Sequence, residues 1–203
     1  MRLGRVLLGA AAAVGGAALW WRRNPSACPY GQRFWIQAPH PLITRGRLRE
    51  ILEPTPGERI LEVGPGTGYY TLDVAEWIQP GGTLDILDLQ QEMLDHTMRR
   101  VAERGLTNVT PTRSDATAMP YDDASFDAAY LTTVLGEIPD QEAALRELAR
   151  VLKPGGRLVV GELLGDPHYV RLAPLRLRAS GAGLHYERRL GRAPGYFALF
   201  VKP

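Results

Sequence analysis

The sequence predicts an α/β domain built on a doubly wound, largely parallel sheet with helices on both faces. Three observations carry that prediction. From Arg59 onward, short apolar strand-like runs alternate with helical runs of ten or more residues, the pattern of successive βαβ units. A glycine-rich turn, Gly64-Pro65-Gly66-Thr67-Gly68, separates the first such strand from the first such helix. The chain has 203 residues, 45% hydrophobic and 23% charged, which is ordinary globular usage and enough for one sizeable core, not two.

Residues 1–23 stand apart as an N-terminal hydrophobic segment. Between Arg5 and Arg22 lie sixteen uncharged residues, Val6 to Trp21. As a helix they span roughly 24 Å, against a hydrocarbon core of ~30 Å. Flanking Arg side chains can snorkel and Trp20-Trp21 suit the headgroup interface, so the segment reads as a membrane anchor. Nine of the sixteen are Ala or Gly, so a cleaved signal and a soluble helix stay open. Ser26-Ala27-Cys28 resembles the end of a lipoprotein cleavage box, from which Pro25 and Arg22-Arg23 depart; acylation would fall on Cys28. Residues 24–41, rich in Pro and aromatics, read as an ordered connector or lid, because disordered linkers are poor in aromatics. The remaining 42–203 form the folded domain.

Within it a helix is expected over Leu42–Leu52, ending before Pro54. Strands follow at Arg59–Val63, Thr83–Leu87, Val109–Arg113, Phe126–Leu131 and Arg157–Leu164. Helices are expected at Tyr69–Ile78, Gln91–Arg104, Asp140–Leu152 (capped by Asp140) and Val170–Ser180. Two closing strands lie near Leu184–Leu190 and Tyr196–Val201.

Charge is unevenly placed. Residues 1–49 hold eight Arg and no acid, residues 50–165 nine basic groups against twenty acids, and residues 166–203 seven basic groups against two acids. The acidic centre is a poor match for phosphate backbones, so no nucleic-acid partner is expected, while the basic ends suit anionic headgroups. One Cys excludes an internal disulfide framework, and the four His lack metal-site spacing, so no metal is expected.

Parallel sheets bind ligands at the carboxyl ends of their strands, near the reversal of strand order. Gly64, Gly66 and Gly68 permit positive φ and close backbone approach there. Asp88, twenty residues past Gly68, can accept from both ribose hydroxyls, or be a solvated strand-end acid. Asp115-Ala116, past the third strand, can read an adenine edge through the Asp carboxylate and the Ala116 N–H, or be an Asx turn.

LEVGPGTGYYTLDVA, ILDLQQEML, SDATAMPYDDASFDAAY and ELARVLKPGGRLVV, in this order and spacing, resemble the class I S-adenosylmethionine-dependent methyltransferases, nearest to the small-molecule and quinone-methylating type. The resemblance covers about Leu42 to Pro203. It implies a Rossmann-like seven-stranded sheet whose last strand is antiparallel and inserted between the fifth and sixth, with S-adenosyl-L-methionine as cofactor. By that resemblance Glu62 takes the methionine amino group, Gly64, Gly66 and Gly68 lie along the methionine and ribose, Asp88 holds the ribose, Leu89 packs on the adenine, and Asp115 with Ala116 reads its edge. Acidic surroundings suit an ammonium and a sulfonium.

A dehydrogenase shares the loop and the ribose acid, but Tyr69 stands where GxGxxG needs its last Gly, and Glu62 sits badly beside a pyrophosphate. Methyl transfer needs alignment and exclusion of water more than a triad. Tyr69, Tyr70, Glu137 and His40 are candidate bases, each with a packing, capping or turn role as its alternative. No exocyclic-amine loop follows the fourth strand, no Pro-Cys nucleophile exists, and one thiol is too few for arsenite chemistry. A small, lipophilic acceptor is therefore expected, with the domain on the cytosolic face of a membrane or soluble in the cytoplasm. A cofactor-binding assembly factor or sensor uses the same visible residues and remains the alternative.

Overall fold

The structure is a computed structural model that describes residues 25–32 and 41–203; the 1–23 segment and half of the 24–41 connector, His40 included, lie outside the described residues. Strands at Arg59–Val63 (β1), Thr83–Asp88 (β2), Val109–Arg113 (β3), Phe126–Thr132 (β4), Leu152–Leu163 (β5), His185–Arg192 (β6) and Gly195–Val201 (β7) form one sheet. Their order is β3-β2-β1-β4-β5-β7-β6. β7 pairs antiparallel with both β5 and β6, and the other neighbouring pairs are parallel. The chain thus winds outward from β1 through β2 to β3, then returns to β4 on the other side. The reversal falls between β1 and β4, which opens a crevice beyond their carboxyl ends.

Helices Arg45–Leu52 (α1), Thr71–Trp77 (α2) and Gln91–Glu103 (α3) cover one face, and Gln141–Val151 (α4) and Leu172–Gly181 (α5) cover the other. Strand residues sort by alternation. Ile60, Ile86 and Tyr130 pack under α1–α3, while Leu61, Leu87 and Leu131 pack under α4 and α5. Strands flanked by helices on both faces need apolar residues on both, and β1, β2 and β4 supply them. The outer strand β3 carries polar exposed positions instead.

Element boundaries shift for local reasons. α1 starts at Arg45, not Leu42, because the Thr44 side chain caps it by accepting from the Arg47 N–H (3.3 Å). α2 starts at Thr71, since Tyr69 and Tyr70 still belong to the glycine turn. β5 starts at Leu152 rather than Arg157. Its Pro154-Gly155-Gly156 stretch is held in the ladder by Lys202, through Gly155 N to Lys202 O (2.8 Å) and Lys202 N to Gly156 O (3.0 Å). The Asp140 cap forms as expected, accepting from the Ala143 N–H at 2.9 Å.

Candidate active site

The glycine turn leaves the tip of β1 and is fastened from two sides. Gly64 N donates to Leu87 O (2.8 Å) at the tip of β2. From α3, the Thr97 hydroxyl donates to Gly66 O (3.1 Å) and Arg100 to Thr67 O. Gly64, Gly66 and Gly68 all have positive φ, at 69, 56 and 76°. At Gly64 a second constraint applies: an added Cβ would sit 2.4 Å from Val134 Cγ2. Gly64 thus packs directly against Val134.

Glu62 projects beside this turn and is 3% exposed. The Thr71 hydroxyl donates to it, and the buried Tyr130 hydroxyl faces it without closing a hydrogen bond. Burial pushes its carboxyl up to about 7, opposed by these hydroxyls and reinforced by the Asp88 charge. No ion pair reaches Glu62 among the described residues.

Asp88 ends β2 and is 9% exposed. Burial raises its carboxyl to about 6, against the pull of the Gln90, Leu89 and Gly66 amides; the Gln90 contact is 2.9 Å. Leu89 beside it is 54% exposed, an apolar side chain with an open face. The exit of β3 is tied to this tip by Ser114 N to Asp88 O (3.1 Å) and Arg113 Nε to Leu89 O (3.2 Å). That brings Asp115 and buried Ala116 alongside. Asp115 makes the Asx turn, its Oδ1 accepting from the Thr117 N–H and hydroxyl at 2.8 Å each, so Oδ2 stays available. Downstream, Arg150 holds the loop by donating to Met119 O (2.9 Å) and Tyr121 O (2.7 Å).

The candidate bases part company. Tyr70 is buried and its hydroxyl donates to Ile43 O at 2.5 Å. Burial drives its pKa up, and the bond to Ile43 ties the chain ahead of α1 to the glycine turn. Tyr69 is half-buried under the Arg45 guanidinium, 4.3 Å from the ring centroid. Glu137 lies on a 3₁₀ turn, Leu135–Glu137, after β4. Burial pushes it up to about 8, helped by the Asp166 and Asp88 charges and opposed by the Cys28 amide.

That amide comes from residues 25–32, which cross the mouth of the crevice. Cys28 N donates to Glu137 Oε2 (3.2 Å), and Gln90 Nε2 donates to Cys28 O (2.9 Å). Further on, Tyr30 Oη meets His96 Nδ1 at 3.4 Å. The segment therefore bridges the β2 tip and the turn after β4. The Cys28 thiol is raised to about 11, first by burial and then by Glu137 and Asp166, which makes it a poor nucleophile at neutral pH.

Sequence reasoning did not single out Glu162, Asp166 or Thr133. Glu162 is 1% exposed at the end of β5. Thr133 adopts φ 55° at the exit of β4, a left-handed conformation that costs a non-glycine roughly 1–2 kcal/mol. Its only sequence signal is position: it follows the strand tip directly.

The residues fit an adenosyl sulfonium: a buried anion beside a bare glycine backbone, an acid at the next tip, an exposed Leu and a free Asp oxygen beyond. The profile of the ubiE/COQ5 methyltransferase family matches residues 39–167. The chain belongs to this family. It is 33% identical over 122 residues to the ubiquinone/menaquinone biosynthesis C-methyltransferase UbiE of Shewanella oneidensis, covering 60% of this chain and 49% of that protein. To the protein of the same name from Ectopseudomonas mendocina it is 37% identical over 114 residues, covering 56% and 44%. The chain thus spans about half the length of the curated relatives it matches. A solved S-adenosylmethionine-dependent methyltransferase from Aquifex aeolicus superposes with a TM-score of 0.78 at 20% identity, covering 86% of this chain and 98% of that one; the family member thus has a class I methyltransferase fold.

Proposed function

We propose that the protein transfers a methyl group from S-adenosylmethionine to a small lipophilic acceptor of quinone type. The observation that carries the reading is Glu62, a buried carboxylate with hydroxyl neighbours and no cation among the described residues, set beside a backbone too close-packed at Gly64 for any side chain. In this reading Glu62 holds the ammonium, Gly64–Gly68 line the methionine and ribose, Asp88 takes the ribose hydroxyls, Leu89 covers the adenine, and Asp115 Oδ2 with the Ala116 amide reads its edge. Bound there, the cofactor supplies a methyl group already activated on sulfonium. The protein's task is then to align the acceptor and exclude water. Residues 25–32 serve as the cover, and Tyr69 and Glu137 border the acceptor side.

Membrane association is part of the proposal. Its support is the apolar run Val6–Trp21 together with a groove lined by Leu42, Arg47, Arg192 and Pro194 at the strand-tip end of the sheet. Leu42 and Leu164 there are 38% and 57% exposed, a mixture of apolar and basic groups suited to anionic lipid. Among the described residues no helix is long and apolar enough to cross a membrane. Flotation with liposomes tests this part; indifference to anionic lipid sinks it.

The main test is calorimetry with S-adenosylhomocysteine, followed by transfer of labelled methyl to a lipid extract. Binding with transfer is expected. Absence of binding overturns the proposal, and binding without transfer to any acceptor replaces it with a cofactor-binding assembly factor or sensor.

A further inference from the structure

Beside Glu62 stands a buried hydroxyl with no partner, that of Tyr130. Glu62 of β1 and Tyr130 of β4 are directly opposite in the parallel ladder, so both side chains rise on the α1–α3 face. Tyr130 is fully buried, its ring in the apolar cluster that holds Ile60, Tyr70 and Phe197. Its hydroxyl is buried as well and makes no hydrogen bond. Burial, then the charge of Glu62, holds this phenol well above its usual pKa. It therefore keeps its proton and can donate.

The other polar groups around this pair are already engaged. The Tyr70 hydroxyl donates to Ile43 O, the Thr71 hydroxyl donates to Glu62 Oε2, and Asp73 is paired with Arg45 at 3.0 Å. Asp88 adds its charge from the β2 tip. A buried hydroxyl without a partner is costly, and one in a native core calls for an explanation. Here the state of Glu62 supplies it. In the empty protein burial pushes that carboxyl up to about 7, so near neutral pH it is largely protonated and a weak acceptor. A cation brought beside it favours the ionised form, and an ionised carboxylate accepts more strongly. The phenol is in place for that change.

We infer that Tyr130 is a positioning residue for the methyl donor: its hydroxyl closes onto Glu62 when the ligand's ammonium arrives, and with Thr71 it fixes the carboxylate that holds the amine. This rests on the methyltransferase reading and adds to it a residue that acts without touching the ligand. Tyr130→Phe keeps the ring and its packing and loses only the donor. The hydroxyl favours the charged form of Glu62, so without it the carboxyl takes up its proton at higher pH.

The test uses the full chain and titrates three ligands: S-adenosylhomocysteine, its decarboxylated analogue, which keeps the amine, and methylthioadenosine, which has neither group. At about pH 7 Tyr130→Phe is expected to weaken both amines roughly tenfold, the loss of one bond to a charged group, and methylthioadenosine by less than about twofold. The loss narrows toward about pH 8.5, where Glu62 is ionised in both proteins, while Asp88 titrates in both and cancels. In a Glu62→Gln background Tyr130→Phe adds less than about twofold, because the two residues act through one bond. If Tyr130→Phe does not fold, NMR of the parent chain with isotope-labelled tyrosine decides. The Tyr130 hydroxyl signal then moves on adding S-adenosylhomocysteine and not on adding methylthioadenosine, and a signal that ignores both overturns the inference. Equal weakening of all three ligands, unchanged binding of the amines, or weakening confined to the ligand with the carboxylate also overturns it. So does a loss that ignores pH or adds in full to that of Glu62→Gln. Failure of S-adenosylhomocysteine to bind the parent chain removes the methyltransferase reading beneath it instead.

Discussion

Replacing Glu62 by Gln separates the cost of this site from its use. In the empty protein Glu62 ionises near 7 instead of the ordinary 4.5, because burial outweighs its hydroxyl partners. Below pH 4.5 both folded and unfolded chains hold the proton and the shift has no effect on stability. As pH rises through the interval, the unfolded chain releases the proton while the folded chain keeps it, so stability falls; above about pH 7 the full cost is present. The shift corresponds to about 3 kcal/mol. Gln cannot ionise, and its amide oxygen can still accept from Thr71. The stability of Glu62→Gln relative to the parent chain should therefore rise by up to about 3 kcal/mol between pH 4 and pH 8, or roughly 6–12 °C in Tm for a domain of this size. The other acids titrate in both proteins and cancel in the difference. Denaturation of the two empty proteins at both pH values measures it. At pH 8 the same variant should lose S-adenosylhomocysteine affinity by about 1.5–3 kcal/mol, the worth of a charged hydrogen bond. A difference in stability that does not vary with pH would refute the claim that Glu62 sits ionised and unpaired.

Gly64→Ala should destabilise by about 2–4 kcal/mol, from positive φ and from the clash with Val134; thermal melts of Gly64→Ala with and without Val134→Ala should show partial recovery in the pair, and none would point to φ alone. Asp88→Ala should weaken S-adenosylhomocysteine by ~1–3 kcal/mol in calorimetry, and unchanged affinity takes Asp88 out of the site. Tyr70→Phe leaves the Ile43 carbonyl without its donor, so we expect a stability loss of about 1–3 kcal/mol in urea unfolding with turnover per folded molecule unchanged; a fall in turnover would return Tyr70 to the chemistry.

What could be read from the sequence was whatever local chemistry dictates. Gly and Pro mark strand ends, so the β1–α2 turn and the successive strands are legible, and acids at those ends stand out one by one. The placement of β7 came from family resemblance, since nothing in Gly195–Val201 reveals which neighbours it pairs with. Tyr69 and Tyr70 look interchangeable in sequence. Only packing shows that one hydroxyl is spent on Ile43 while the other ring lies under Arg45. Glu162 reads as one residue of an apolar strand, and its surroundings depend on Glu137 from the turn after β4 and on Asp166 and Val170 from the loop that follows its own strand. The bond from Cys28 to Glu137 spans 109 residues, and no local pattern encodes such a closure.

The acids explain one another once their sides of the sheet are compared. Glu62 and Asp88 project on the α1–α3 face and Glu162 on the α4–α5 face, following strand alternation. The crevice between β1 and β4 is where these two faces meet at the strand tips. Burial raises Glu62, Asp88, Glu137 and Glu162 alike, and the Asp88 charge adds to Glu62 and Glu137 as the Glu137 charge adds to Glu162. An empty crevice is thus electrostatically unfavourable above neutral pH, and under the proposed function a ligand bringing positive charge relieves it. A plain hydrophobic cleft would cost less stability but would offer nothing to distinguish a sulfonium nucleoside from any other flat, apolar molecule. Most of the crevice acids belong to the acid-rich residues 50–165, while the basic excess lies at the two ends of the chain.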